Sequence, residues 1–307
     1  MKKNISLKID ATITLNGFCW LSSQQITKNT VVILVHGMAE HIERYDEFAS
    51  FLSTKGYSVY GYDQRGHKLS ITEEFSYGYM SHINNFDALI NDLFRFIEYV
   101  RSIEQNKKIL VFGHSMGSFI TQRAIQLNKS NFDYAILCGT GYNSTILLHF
   151  GKIIANLIIL FKNRQYKSLF VDRLTFKTYN NKVKAPKTNY DWLNTQELEV
   201  NRYIKDKYCG GIFSVSFFKD FFSMMINIKK HFSKCQDIPL LLLSGKDDPV
   251  GNYSKNVFKL VQKLKKNKFS KVKYKFYDNC RHELLHEVSK DDVFNDVSKW
   301  IKSNEET

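Results

Sequence analysis

Val111-Phe112-Gly113-His114-Ser115-Met116-Gly117-Ser118 is the stretch that decides how this chain is organised. Apolar residues 109–112 run into Gly-His-Ser-Met-Gly, and a helical pattern follows over residues 119–127. That is a strand, a tight turn with a serine at its apex, and a helix. It fits G-x-S-x-G, in which the serine is forced into a strained, exposed position at the top of a sheet. Gly113 and Gly117 have a steric reason to be glycine, because strand and helix pass too close there for a Cβ. Five residues with three fixed positions recur by chance, so the strand before and the helix after carry the reading.

Outward from that turn, strands alternate with helices. Residues 4–22 alternate like an antiparallel edge pair. Residues 30–35 are a continuous apolar run, as expected of a strand buried on both faces of a largely parallel sheet. Further strands are expected over 57–62, 134–138, 238–243 and 272–277, and helices over 45–52, 86–103, 257–264 and 293–301. This predicts an α/β fold with a mostly parallel, doubly wound sheet and a mainly helical cap inserted after the strand that ends near Gly139. The core is expected over 1–140 and 236–307, and the cap over 141–235. Ligands of such sheets bind beyond the carboxyl ends of the strands. His36-Gly37-Met38, Ser115, Asp248 and the turn at 279–282 all fall at such ends.

Composition narrows the class. Of 307 residues, 43% are hydrophobic and 24% charged, the balance of an ordinary globular protein. The five cysteines (19, 138, 209, 235, 280) are odd in number and lack a C-x-x-C pair, so free thiols are expected rather than disulfides or a zinc site. Met1-Lys2-Lys3 opens like a signal peptide, but Asn4, Ser6, Lys8 and Asp10 break any apolar run. The most apolar window, about 146–161, is interrupted by His149, Gly151 and Lys152 and is too short to span a bilayer. A cytoplasmic protein is expected. The net charge of +14 would suit nucleic acid or an anionic membrane. Nucleic acid is disfavoured, because no known binding motif and no dense basic block interleaved with aromatics is present.

A serine hydroxyl at its own pKa is a poor nucleophile. It needs a histidine base, and that base needs a third group to fix its tautomer. His282, in a short turn after the last strand, is the expected base, with His286 as its local competitor. The acid should follow the strand after the insertion. Asp248, just before Pro249, is preferred, leaving Asp247 as a solvated turn residue. Attack on a carbonyl builds an oxyanion, for which the backbone N–H groups of Met116 and Met38 are the expected donors.

Several motifs add a resemblance: His36-Gly37-Met38-Ala39-Glu40-His41-Ile42-Glu43-Arg44-Tyr45, Asp63-Gln64-Arg65-Gly66-His67, Gly113-His114-Ser115-Met116-Gly117 and Arg281-His282-Glu283. Together they resemble the monoacylglycerol lipase and lysophospholipase group of the α/β-hydrolases, the serine aminopeptidase S33 family. Asp191-Trp192-Leu193, Tyr203-Ile204 and Cys209-Gly210 resemble a stretch in the cap of bacterial members. The resemblance implies an α/β-hydrolase fold and ester hydrolysis through a serine acyl-enzyme, with no metal or organic cofactor. It carries the nucleophile to Ser115, the acid to Asp248 and the base to His282. It places Glu40 and Arg44 near the oxyanion loop, with Gly37 and His114 as further candidates for contact with substrate; an Arg–Glu pair that merely pins the loop is the competing reading. Asp63 and Arg65 are expected to brace the loop after their strand. Lys68 departs from the glycine usual after Arg-Gly-His, which puts the local loop shape in question.

The insertion holds sixteen Lys/Arg against six Asp/Glu, so most of the chain's positive charge lies there. Ile146, Leu147, Phe150, Ile153, Ile154, Leu157, Ile158, Leu160 and Phe161 suggest an apolar helical face, with Lys152, Lys162, Arg164 and Lys167 alongside. A second group runs Phe213, Phe217, Phe218, Phe221, Phe222, Met224 and Met225. Either these residues are the cap's own core, or they form a lid that faces lipid and contacts anionic membrane. Cys280 is either a thiol sensitive to reagents or a buried small hydrophobe. The expected substrate is a single-chain lipid ester, a monoacylglycerol or a lysophospholipid. A short-chain carboxylesterase, an amidase or peptidase, and a non-catalytic binding protein on the same scaffold are the alternatives.

Overall fold

Apolar runs and amphipathic stretches alternate through the chain, and the computed structural model turns them into one sheet covered on both faces. It describes residues 1–22, 24, 28–127, 132–232 and 237–306; Cys235 and the expected boundary at 235/236 lie outside them. The elements are β1 (Lys2–Lys8), β2 (Thr14–Trp20), β3 (Thr30–Val35), α1 (Asp46–Thr54), β4 (Ser58–Tyr62), α2 (Asn85–Ile103), β5 (Lys108–His114), α3 (Met116–Gln126) and β6 (Tyr134–Cys138). Between β6 and β7 come α4 (Thr145–Phe161), α5 (Leu169–Phe176), α6 (Glu197–Lys205) and α7 (Val215–Lys230). The chain closes with β7 (Leu240–Gly245), α8 (Lys255–Lys266), β8 (Val272–Tyr277) and α9 (Lys290–Glu305).

The strand order is β1-β2-β4-β3-β5-β6-β7-β8. β1 and β2 form the antiparallel edge pair, with β2 joined to β4; every later pairing is parallel. Alternate strand residues feed opposite faces. Val32, Leu34, Leu110 and Phe112 pack with Phe48 and Leu52 of α1 and Val293 and Ile301 of α9. Val31, Ile33, Ile109 and Val111 pack on the other face with Phe96 of α2, Ile120 of α3 and Leu260 of α8. That is double winding in physical terms, and it leaves the strand ends as the place where loops converge.

Most elements differ from the sequence expectation by one to four residues at an end, β7 for example running 240–245 where 238–243 is expected. The two ends that flank the serine turn matter most. α3 begins at Met116, three residues before the helical pattern, and β5 continues to His114. The reason is contact. A Cβ on Gly113 would lie 2.5 Å from the Gly117 carbonyl oxygen and from Thr121 Oγ1, and one on Gly117 would lie 2.1 Å from the Val35 carbonyl oxygen. Strand and helix can meet this closely only with glycine at both positions, so the turn between them is a single residue.

The inserted segment shares its core with the sheet. Phe213, Phe217 and Phe218 are fully buried in the cluster that also holds α2 and α3. Phe86 of α2 stacks on Phe221 of α7 with ring centroids 5.0 Å apart. The Phe and Met group is therefore core. α4 is divided: Leu148, Gly151 and Ala155 are buried, whereas Ile146, Leu147, Leu160 and Phe161 are 70–83% exposed. Among the described residues no helix is long and apolar enough to cross a membrane.

Candidate active site

Ser115 is the one residue between β5 and α3, at φ +50° and ψ −118°. An L-residue there is strained by about 1–3 kcal/mol. The strain is held by neighbours: its N–H donates to the Cys138 carbonyl at 2.9 Å, and its own carbonyl accepts from Ser118 N–H at 2.9 Å. As the first helical residue, Met116 has no intrahelical acceptor for its N–H. In the facing loop, Gly37 N–H is already spent on Glu40 Oε1 at 2.6 Å, which leaves Met38 as the next donor along. A Cβ on Gly37 would stand 3.1 Å from Ser115 Cβ, so this loop lies directly against the serine.

Asp248 and His282 meet. His282 Nδ1 lies 3.0 Å from Asp248 Oδ2, with both side chains almost fully buried. A carboxylate only accepts, so Nδ1 carries the proton of this bond. Asp248 Oδ1 is fixed by Val250 N–H at 2.8 Å. The neighbouring Asp247 is exposed, as expected of a solvated turn residue. His286, the competing base, sits half-buried four residues on, with its pKa pushed down to about 4 by burial and by Arg44.

Glu40, Arg44 and His114 belong to a buried network of charge. Glu40 Oε1 accepts from Tyr45 Oη at 2.9 Å, and Arg44 Nη1 donates to Glu40 Oε2 at 2.9 Å. Arg44 also forms a two-pronged pair with Glu283, at 2.6 and 2.9 Å. His114 Nδ1 faces Glu40 Oε1 at 3.0 Å and its Nε2 faces the His282 carbonyl oxygen at 3.3 Å. Both ring nitrogens thus look at acceptors, which calls for a proton on each. Two carboxylates and one guanidinium would otherwise leave a buried net negative charge. Burial opposes the cation, but Glu40 outweighs it and raises the His114 pKa. Glu40 in turn is held well below the usual carboxylate range by His114 and Arg44.

Glu283 and Trp192 carry no role in the sequence reading. Glu283 is the second anchor of Arg44, and Trp192 of the inserted segment packs on His282 with ring centroids 5.1 Å apart. Arg281 ties that segment down by donating to the Asp191 and Asn194 carbonyls at 2.7 and 2.8 Å. Their only sequence signal is adjacency to the base and to the Asp-Trp-Leu motif. Asp63 and Arg65 brace their loop as expected: Asp63 accepts from Ile42 and Leu69 N–H, and Arg65 grips Asp92 with two contacts of 2.6 Å. Lys68 adopts φ +27°, on the side of the map that glycine favours, and its ammonium is paired with Glu43. Cys280 is buried, its Sγ lies 2.9 Å from Ser289 Oγ, and burial raises its pKa, which matches the small-hydrophobe reading.

Residues 27–289 match the sequence profile of the family described as "Serine aminopeptidase, S33". The chain is 23% identical to the monoglyceride lipase of Rattus norvegicus, over 92% of this chain and 86% of that protein. It is 26% identical to the monoglyceride lipase of Saccharomyces cerevisiae, over 90% of this chain and 85% of that one. Among solved structures, a thermostable carboxyl esterase from Bacillus coagulans in complex with glycerol superposes with a TM-score of 0.90 at 21% identity, covering 98% of both chains. The profile covers most of the chain, and the chain belongs to the serine aminopeptidase S33 family of α/β-hydrolases.

Proposed function

We propose that this protein is a serine ester hydrolase that cleaves single-chain lipid esters, monoacylglycerols or lysophospholipids. The observation that carries the reading is the His282–Asp248 pair, 3.0 Å apart at the same sheet edge as the strained Ser115. In this reading His282 Nε2 takes the Ser115 hydroxyl proton as Oγ attacks the ester carbonyl. Asp248 holds the tautomer and stabilises the imidazolium. The oxyanion is met by the N–H groups of Met38 and Met116, each such donor supplying about 3–4 kcal/mol. The leaving alcohol takes its proton from His282, and water then cleaves the acyl-enzyme by the same route in reverse. Glu40, Arg44 and His114 pin the oxyanion loop and the His282 backbone, and Gly37 lets that loop approach the serine.

Residues 141–235 act as a cap, and its outer surface favours a lipid substrate over a soluble one. α4 turns Ile146, Leu147, Phe150, Ile153, Leu157, Leu160 and Phe161 outward, each more than half exposed, and Phe170 of α5 is 62% exposed. α4 contains no acidic residue, and Lys162, Arg164 and Lys167 follow it. An apolar helical face flanked by cations lies in the headgroup layer of anionic membranes. The deciding experiment is a panel of p-nitrophenyl esters of rising chain length, monoacylglycerol, lysophosphatidylcholine and an aminoacyl arylamide, with Ser115→Ala as control. Turnover should rise with acyl length and vanish in the variant. Activity undiminished by Ser115→Ala, or a fluorophosphonate probe bound elsewhere, refutes the proposal.

A further inference from the structure

Away from the serine, the loop after β3 meets the inserted segment at a second cluster of reactive side chains. His41, Asp206 and Cys209 each offer one ligand atom, and these atoms lie within 4.8 Å of one another. The segment's two groups come from one turn, closed by Cys209 N–H donating to the Asp206 carbonyl at 2.9 Å, so the i and i+3 side chains project together. The third comes from the core. His41 is 4% exposed and its Nε2 lies 2.8 Å from Asp206 Oδ2. The turn is seated firmly on the loop, with Gly210 N–H and Tyr203 Oη both donating to the Ala39 carbonyl, at 3.0 and 2.9 Å.

We propose that His41, Asp206 and Cys209 form a binding site for a divalent zinc-like cation that ties the inserted segment to the loop after β3. One nitrogen, one oxygen and one sulfur donor suit Zn²⁺, which takes such mixed sets at about 2.0–2.3 Å and tetrahedrally. His41 and Asp206 already stand close, with a proton between them, and the Cys209 sulfur, within 4.8 Å of both, closes to about 2.3 Å from the ion to complete the set. Asp206 is about one-third exposed, which gives the ion access and leaves room for water as the fourth ligand.

The proton balance is explicit. The Cys209 thiol proton is released to solvent, while the His41 proton moves from Nε2 to Nδ1 so that the Nε2 lone pair faces the metal. With Asp206 and the Cys209 thiolate, the divalent charge is then neutralised. Two features oppose this: burial and the neighbouring Asp206 push the Cys209 thiol up, and a lysine stands against His41. Lys68 Nζ lies 3.5 Å from His41 Nδ1 and is paired with Glu43, so it must swing away for Nδ1 to carry a proton. Occupancy is therefore weaker than it would be without the lysine.

The test uses Co²⁺ as a spectroscopic stand-in, titrated into the full-length protein, followed by Zn²⁺ competition. Wild type should show a thiolate-to-Co²⁺ charge-transfer band, lost in Cys209→Ser and retained in Cys280→Ser. Affinity should fall at least about tenfold in Asp206→Asn and rise in Lys68→Ala. A band that survives Cys209→Ser places the metal elsewhere and overturns the proposal, as does the absence of any band. Cys209→Ser is expected to keep full esterase activity without metal, so loss of the band in this variant reports the metal site and not the fold. The absorption readout does not depend on turnover, so its failure is distinct from failure of the ester hydrolase proposal.

Discussion

Replacing His114 with glutamine probes the charge network directly. In the wild type the ring lies between Glu40 Oε1 at 3.0 Å and the His282 carbonyl at 3.3 Å, and its pKa is raised above the ordinary value of about 6.5. A group whose folded pKa is raised stabilises the fold fully below its unfolded pKa and loses that contribution as pH rises through its folded pKa. Each unit of elevation is worth about 1.4 kcal/mol at the acid end. Removing one partner of a buried ion network costs about 3–5 kcal/mol; glutamine keeps one donor, so the lower end is expected. The assay is denaturant unfolding of both proteins from about pH 6 to about pH 9, read as the difference between them, in which the other histidines cancel. The gap should be widest near pH 6 and close as pH rises. A gap that is the same at every pH would mean His114 is neutral throughout, and the account of the network would fail.

Other expectations follow from single contacts. Asp248→Asn should leave the fold intact while lowering kcat by roughly 10⁴-fold, since the amide favours the wrong His282 tautomer; kcat within tenfold of wild type would remove Asp248 from the mechanism. In Gly245→Ala the new Cβ would fall 2.1 Å from the Cys280 carbonyl oxygen and 2.2 Å from that of Arg281. The turn bearing His282 must then shift, with activity falling by about 10²-fold and stability by about 1–3 kcal/mol; an unchanged melting point and kcat would contradict this. His67, pushed down to about 3, and His286, to about 4, are neutral in the fold and must take up protons on unfolding. Their depressed values make stability fall as pH drops below about 6.5, which acid titration of unfolding free energy checks. Phe150→Asp with Leu157→Asp should weaken binding to anionic vesicles, and salt should weaken it in the wild type; indifference to both would exclude the lipid-facing role of α4.

The strands at Thr30–Val35, Tyr134–Cys138 and Val272–Tyr277 match the sequence reading residue for residue. The first two are short apolar runs buried on both faces, where composition alone marks the ends. Ser115, Asp248 and His282 were legible because each lies at a strand end, and the topology brings strand ends together. What lies across the chain was not. Arg44 and Glu283 are 239 positions apart, and nothing in the spacing of either announces a pair. The outer stripe of α4 was half legible: the helix is apolar on two sides, and only the position of Phe222 against Gly151 decides which side turns in.

That unseen pairing changes what the loop after β3 can do. For Glu40 and Arg44 the sequence leaves two readings open, contact with substrate or an ion pair that pins the loop. In the structure Glu40 accepts from Gly37, Tyr45 and Arg44, while Arg44 is held by two carboxylates. Recruiting either to a head group would strip a partner from a buried ion, at a cost of about 3–5 kcal/mol, more than a neutral hydroxyl contact returns. Their contribution to an ester hydrolase is rigidity. In the proposed mechanism they would hold the Met38 N–H in place before the oxyanion forms, where a preorganised donor is worth most. In that proposal, discrimination between head groups would fall to side chains of the inserted segment, of which Trp192 packs on His282.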